Sequence, residues 1–329
     1  MKISVAMTTY NGEKYIQKQL ISLLNQTRKA DEIIIADDKS SDNTALIVGN
    51  FISDNKLDNW TYYVNNENLG FVKNFKNVIS ITTGDLIFLC DQDDIWLPEK
   101  IEELENLFEK NSKAMAINSS FNFINETDEP FLIPQKPNTS NQNIINYIIS
   151  QDDFVPVNFN TIIRYNISPG CTMAFKSELK EKLLSQNVFE IPHDWEINLY
   201  ATMWDGLYFL NKPLINYRIH SSNTIGLITE DDKPALKIHG NLKKRLNVLD
   251  CMINLYGLLL TPEFLEKFDR KEKQFVIHSS KFSALRLKVI KEKKLSAWFK
   301  LWVHAPFLKQ GNTIKMILGD LVFMFNLHK

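Results

Sequence analysis

Three carboxylates in four positions, Asp91, Asp93 and Asp94, follow the apolar run Phe88-Leu89-Cys90 and precede Ile95-Trp96-Leu97-Pro98. Oxygen ligands at the exit of a buried strand suit a hard divalent cation, Mg²⁺ or Mn²⁺, that carries a diphosphate. The plain alternative is a solvated turn capping a helix that opens near Pro98, because Asp is a common turn and N-cap residue. Asp194, in His193-Asp194-Trp195 just after Pro192, stands where a helix start turns a carboxylate into a cleft. A carboxylate so placed can take a proton; an ordinary N-cap Asp beside a core Trp is the competing reading. His220 follows the strand-like Ile215-Asn216-Tyr217-Arg218 and precedes the turn formers of 221–226. A lone His is more often hydrogen-bonded surface than ligand, and Arg218 either faces a diphosphate or pairs with a carboxylate.

The elements that must hold these groups repeat in one order. Ile3-Ser4-Val5-Ala6-Met7 reads as a buried strand running into the polar turn Thr8-Thr9-Tyr10-Asn11-Gly12, and an amphipathic helix follows from about Glu13 to Asn25. Glu32-Ile33-Ile34-Ile35-Ala36 is a second strand, ending in Asp37-Asp38-Lys39-Ser40-Ser41-Asp42 before another helix. Strand, polar loop and helix in repetition predict an α/β chain with a parallel sheet whose ligands bind at the carboxyl ends of its strands. Thr8 to Tyr10, Asp37 with Asp38, and Asp91 to Asp94 then share one rim.

With these segments in place, the sequence resembles the family-2 inverting glycosyltransferases of the GT-A fold, closest to their bacterial rhamnosyltransferase branch. The resemblance covers about residues 1 to 226. It rests on Met7 to Gly12, Ala36 to Asp42, Asn66-Glu67-Asn68-Leu69-Gly70, the Asp-x-Asp signature Asp91-Gln92-Asp93-Asp94, His193-Asp194-Trp195 and Tyr217-Arg218-Ile219-His220. It implies that Thr8, Tyr10 and Asp37 surround the nucleotide base and that Lys73 also contacts the donor. Asp91 would meet the ribose or metal side of the donor, Asp93 and His220 would hold the Mg²⁺ or Mn²⁺ with Asp91, and Asp194 would be the base. Lys39 stands where the family often has Gly, and Lys73-Asn74 where it carries an Arg or Asn patch. Ile167 to Phe175, with Gly170, is similar to the family's acceptor-side loop; a Pro-Gly turn before a strand is the plain reading.

The function implied is transfer of a sugar, leaning to L-rhamnose from dTDP-L-rhamnose, onto a bacterial surface polysaccharide or lipid-linked glycan. Two alternatives are a UDP-hexose or UDP-galactofuranose donor on the same fold, and a non-catalytic scaffold of a polysaccharide assembly complex. The retention of Asp37, Asp91, Asp93 and Asp194 argues against the scaffold.

A chain of 329 residues, 44% of them hydrophobic, buries one large core and a smaller appendage. Cys90, Cys171 and Cys251 are too few and scattered for a disulfide framework or a zinc site, and no leader pattern opens the chain, so a reducing cytoplasm is expected. The formal net charge of −1 conceals an asymmetry: residues 234–329 hold 18 Lys and Arg against 7 Asp and Glu, a balance of +11. We therefore divide the chain into a catalytic domain over 1–230 and a basic helical region over 231–329. In the latter, Lys243-Lys244-Arg245, Lys288 to Lys294, and the apolar stretches Leu255 to Leu260, Trp298 to Val303 and Met316 to Leu327 read as consecutive amphipathic helices, none with the run of about 18 apolar residues that spans a bilayer. Such helices suit the anionic inner face of a plasma membrane, or else pack on each other or in a homodimer. No nucleic-acid motif is present. The Asn- and Pro-rich segment of 125–160 is expected to form a loop over the site.

Overall fold

The structure is a computed structural model that describes residues 1–133, 149–163, 166–185, 191–220, 242–308 and 313–325, with the side chains of Lys243 and Lys244 outside this set. It divides into two compact units, 1–186 with 192–227, and 187–191 with 228–329. The boundary expected at 230 falls outside the described residues, as do 221–226 and residues 134–148 of the Asn- and Pro-rich segment.

The first unit is built on one sheet. Its parallel part comprises β1 (Ile3–Thr9), β2 (Glu32–Asp37), β3 (Trp60–Val64) and β4 (Leu86–Cys90), in the order β3-β2-β1-β4. Every residue of β1 and β4 is buried, which is why these strands read as unbroken apolar runs: a parallel sheet is covered on both faces. The crossover helices are α1 (Ile16–Leu24), α2 (Thr44–Asp54) and α3 (Phe71–Ile81). Helix α1 begins three residues later than the periodicity suggests, because Gly12 O accepts from Tyr15 N and Ile16 N in a turn and Asn11 adopts φ +49°.

Beyond β4 the sheet becomes mixed. After β5 (Ile95–Trp96) and α4 (Lys100–Lys110) come β6 (Ala116–Ile124), β7 (Pro130–Phe131), β8 (Phe154–Pro156), α5 (Phe159–Ile162), β9 (Met173–Lys176), α6 (Glu178–Ser185), α7 (His193–Met203) and β10 (Leu207–Arg218). Strand β9 lies antiparallel between β4 and β6, and β10 runs parallel to β6. The helix anticipated at Pro98 is preceded by β5, which pairs antiparallel with β10 at Trp96 and Ile215. That pairing brings the end of β10, with Arg218 and His220, back to the loop of Asp91 to Asp94.

The second unit is helical, as its sequence suggests: α8 (Leu242–Leu259), α9 (Pro262–Leu265), α10 (Arg270–Glu292), α11 (Leu295–Leu308) and α12 (Thr313–Met324). Phe282 and Val289 of α10 pack with Leu301 and Leu308 of α11 and Ile317 and Met324 of α12. Arg245 does not join a solvated basic cluster. Its guanidinium donates to Asp320, which is fully buried and also accepts from Arg286 at 2.6 Å. No helix among the described residues is long and apolar enough to cross a membrane.

Candidate active site

The carboxyl ends of β1, β2 and β4, the start of α3, the turn at Gly170 and the start of α7 enclose a cleft of about 1090 Å³. Thr8, Tyr10, Asp38, Asp91, Asp93, Asp194 and His220 line it. Tyr10 is half exposed at its mouth. Lys73 is exposed on α3 and is not among the lining residues.

The two acids after β2 have separate surroundings. Asp37 is fully buried; its carboxylate accepts from Thr9 Oγ1 at 2.7 Å, Ser40 N at 2.6 Å and Ser40 Oγ at 2.7 Å, and it does not line the cleft. Asp38 does line it, and accepts from Asn65 Nδ2, Leu69 N and Gly70 N at 3.0, 2.7 and 2.8 Å. Gly70 has φ +79° and caps α3, a conformation that costs an L side chain backbone strain. Asp38 thereby ties β2 to the helix that forms one wall.

The acidic loop is clamped from two sides. Gln92, the middle residue of the Asp-x-Asp signature, pairs with Tyr10 in both directions: its Oε1 accepts from Tyr10 N at 2.8 Å and its Nε2 donates to Tyr10 O at 2.9 Å. Arg218 is fully buried, donates from its backbone N to Asp94 Oδ1 at 3.0 Å and from Nε to Asp93 O at 2.7 Å, and forms an ion pair with Asp128. Of the two roles open to Arg218 in the sequence, the carboxylate pair is the one observed, in the interior rather than at the surface.

Asp93 and His220 meet: Nε2 lies 2.8 Å from Oδ2. The two are hydrogen-bonded to each other, and adjacent ligands on an octahedral cation bound at 2.0–2.1 Å lie at a similar separation of about 3 Å, so a cation taking this place would replace that bond. Asp91 and Asp94 add to the negative charge, with ligand atoms that fall within 4.8 Å of each other and of Cys171 Sγ. Burial, followed by the charges of Asp93, Asp94 and Asp194, pushes the Asp91 carboxyl well above the usual range, and burial with Asp93 lifts Asp94 to about 7. Like charges confined in this way are relieved by a cation, which fits an Mg²⁺ or Mn²⁺ here.

Asp194 stands in the first turn of α7. Its Oδ2 accepts from Asn166 Nδ2 at 2.7 Å and its Oδ1 from Trp195 N at 2.9 Å. Asn166 in turn accepts from Asn198 Nδ2 at 3.1 Å, and Asn198 accepts from Asn118 Nδ2 at 2.8 Å. This asparagine relay from β6 to the carboxylate escaped the sequence reading; its one signal was Asn198, one helical turn after Asp194. Trp195 Nε1 donates to Ile162 O at 2.7 Å and anchors α7 to α5. Burial raises the Asp194 carboxyl to about 6, so the group is mostly ionised at neutral pH yet holds a proton more readily than a free Asp. Gly170 lies against this turn: a Cβ placed on it would sit 3.2 Å from Asp194 Cβ and 3.2 Å from His193 Nε2.

An acidic loop that fits a cation and a raised carboxyl line one cleft, and together these groups can bind a diphosphate ester and deprotonate a hydroxyl. Residues 4–168 match the model of Glycosyl transferase family 2. The chain is 29% identical over 235 residues to the dTDP-rhamnosyl transferase RfbG of Shigella flexneri, covering 67% of this chain and 73% of that protein. Among solved structures it is similar in fold to S. aureus TarS 1–349 in complex with UDP-GlcNAc, at TM-score 0.60, 15% identity and coverage of 100% of this chain and 90% of that one. It is similar also to the mannosyltransferase PcManGT from Pyrobaculum calidifontis in complex with GDP-Man and Mn²⁺, at TM-score 0.52, 14% identity and coverage of 99% and 87%.

Proposed function

The chain belongs to glycosyl transferase family 2, and from that membership we propose an inverting, metal-dependent transfer of a sugar from a nucleotide diphosphate donor to a hydroxyl of a surface glycan or lipid-linked oligosaccharide. Thr8, Tyr10 and Asp38, which line the cleft, receive the nucleoside, Asp37 braces the turn that carries Asp38 through Thr9 and Ser40, and Asp91 meets the ribose or metal side of the donor, while Lys73 lies outside the lining. Asp93 and His220, with Asp91, hold Mg²⁺ or Mn²⁺. When bound, that cation neutralises charge on the departing diphosphate.

Asp194 takes the proton of the acceptor hydroxyl as its oxygen attacks the anomeric carbon. The bond from that carbon to the diphosphate breaks on the opposite face, the electron pair leaves with the diphosphate, and the configuration inverts. Asn166 and the backbone N–H of Trp195 hold the carboxylate in its acceptor role. The observation that supports this reading best is the 2.8 Å approach of His220 to Asp93 in the same cleft as a carboxyl raised to about 6.

The donor we favour is dTDP-L-rhamnose, in line with the likeness to RfbG; a UDP-hexose or UDP-galactofuranose is the other reading. Diphosphate release from a panel of dTDP-, UDP- and GDP-sugars with Mn²⁺ tests it. Turnover of dTDP-L-rhamnose above the others is expected, and preference for a UDP-sugar overturns the assignment. The basic helical unit favours work at an anionic membrane surface on the cytoplasmic side.

A further inference from the structure

Helix α11 is apolar on two sides. Ala297, Leu301 and Leu308 are buried within the helical unit, and Trp298 Nε1 fixes the helix to α12 by donating to Ile317 O at 2.9 Å. The other side carries Leu295, Phe299, Trp302, Val303 and Phe307, each between 39% and 64% exposed. Their spacing of i, i+4, i+7, i+8 and i+12 puts all five on one helix face, where they form a continuous strip opposite the buried residues. A helix that is apolar all round is ordinarily buried, and soluble proteins seldom leave such a strip in water without a binding role.

The charges around the strip identify what covers it. Lys300 is exposed on α11 itself, and the exposed Lys293 and Lys294 immediately precede the helix. No carboxylate lies on α11. Glu292, the nearest in sequence, is paired with Lys294, and Asp320, the one carboxylate of α12, is buried and held by Arg245 and Arg286. A second copy of the chain would bring one region of balance +11 against another, whereas an anionic bilayer complements it. The side chains suit that occupant: Trp302 offers an amphipathic ring of the kind that rests at headgroup level, and Lys300 has a stem long enough to lie on apolar surface while its ammonium stays wet. Length excludes a spanning arrangement. The 14 residues of α11 rise about 21 Å, short of a hydrocarbon core of about 30 Å, so the helix must lie in the plane of the surface.

Resting on the reading of the basic unit as membrane-facing, we propose that the outer face of α11 inserts into the headgroup boundary of an anionic bilayer, with the helix parallel to the surface. The lysines draw the unit to the membrane, and the apolar strip anchors it there.

The test uses the full chain and vesicles of equal parts phosphatidylglycerol and phosphatidylcholine at low salt, with sedimentation as one readout and quenching of tryptophan fluorescence by acyl-brominated phosphatidylcholine as the other. Wild type should sediment and be quenched. Trp302→Phe should still sediment but lose most of the quenching. The double variant Phe299→Gln and Val303→Gln alters only exposed positions and should partition at least about tenfold more weakly, given the apolar area it withdraws; an unchanged melting temperature shows that it remains folded. Salt-sensitive sedimentation with no quenching, or with unchanged partition of the double variant, would overturn insertion while leaving a purely electrostatic membrane contact in place. A wild-type dimer that ignores vesicles and dissociates in the double variant would assign the strip to a second copy instead. Failure of the wild type to sediment at low salt removes the membrane reading itself and the inference with it.

Discussion

Burial lifts the Asp194 carboxyl to about 6, while the hydrogen bonds from Trp195 N and Asn166 pull it back down. A base must be ionised to act, so turnover should fall as pH drops through about 6 and level off above it. Asp194→Asn keeps the shape and loses the proton acceptor; donor binding should survive and kcat should fall by about 10² or more, the usual scale for a positioned general base. A variant with near-normal kcat removes Asp194 from that role. Asn166→Ala withdraws one of the bonds that favours the charged form, so the acidic limb of its pH profile should move to higher pH. An unmoved limb would show that the asparagine relay orients nothing. The sequence disclosed Asp194 because its neighbours form a compact motif; Asn118 and Asn166 lie 76 and 28 positions before it, and only the fold brings them together.

The parallel strands and their acidic ends were legible because full burial writes an unbroken apolar run and the polar ends cannot be mistaken for it. The two-residue strands β5 and β7 were not, since they carry too few side chains to show a period. What β5 contributes, the pairing that returns Arg218 and His220 to Asp93, is a tertiary fact that no local pattern encodes. Backbone conformation also explains one departure from the family pattern. Lys39 sits at φ +66°, a region that glycine adopts without strain, and its Nζ donates to Asn66 O at 3.0 Å. Gly70 supplies the sharper test of backbone geometry, for nothing lies within 4 Å of a Cβ placed there and φ is +79°. Any destabilisation of Gly70→Ala must therefore come from strain. Thermal unfolding should report a loss of about 1–3 kcal/mol, together with weaker nucleotide binding as α3 shifts from Asp38. An unchanged melting temperature would contradict that account.

At the scale of the whole molecule, charge is divided between the units, with +11 over residues 234–329 against −12 over 1–233, where 20 Lys and Arg face 32 Asp and Glu. The proposed catalytic residues all lie in the acidic part, so the basic helices should set location rather than chemistry. Lys291, Lys293 and Lys294 are exposed, and Arg245 is committed to Asp320, so the informative variant replaces Lys243, Lys244, Lys291, Lys293 and Lys294 with Gln and leaves Arg245 in place. Sedimentation with anionic liposomes at low salt should be lost in this variant and in wild type at high salt, at roughly 1 kcal/mol per basic residue near the surface. Equal sedimentation of variant and wild type would favour packing or dimerisation of the helices instead. The central claim is that Asp93 and His220 hold a divalent cation that the transfer requires, and diphosphate release from the preferred nucleotide sugar tests it most directly. Wild-type turnover should vanish in excess EDTA and return with Mn²⁺, and Asp93→Ala should stay inactive throughout; full wild-type turnover in EDTA would contradict the account.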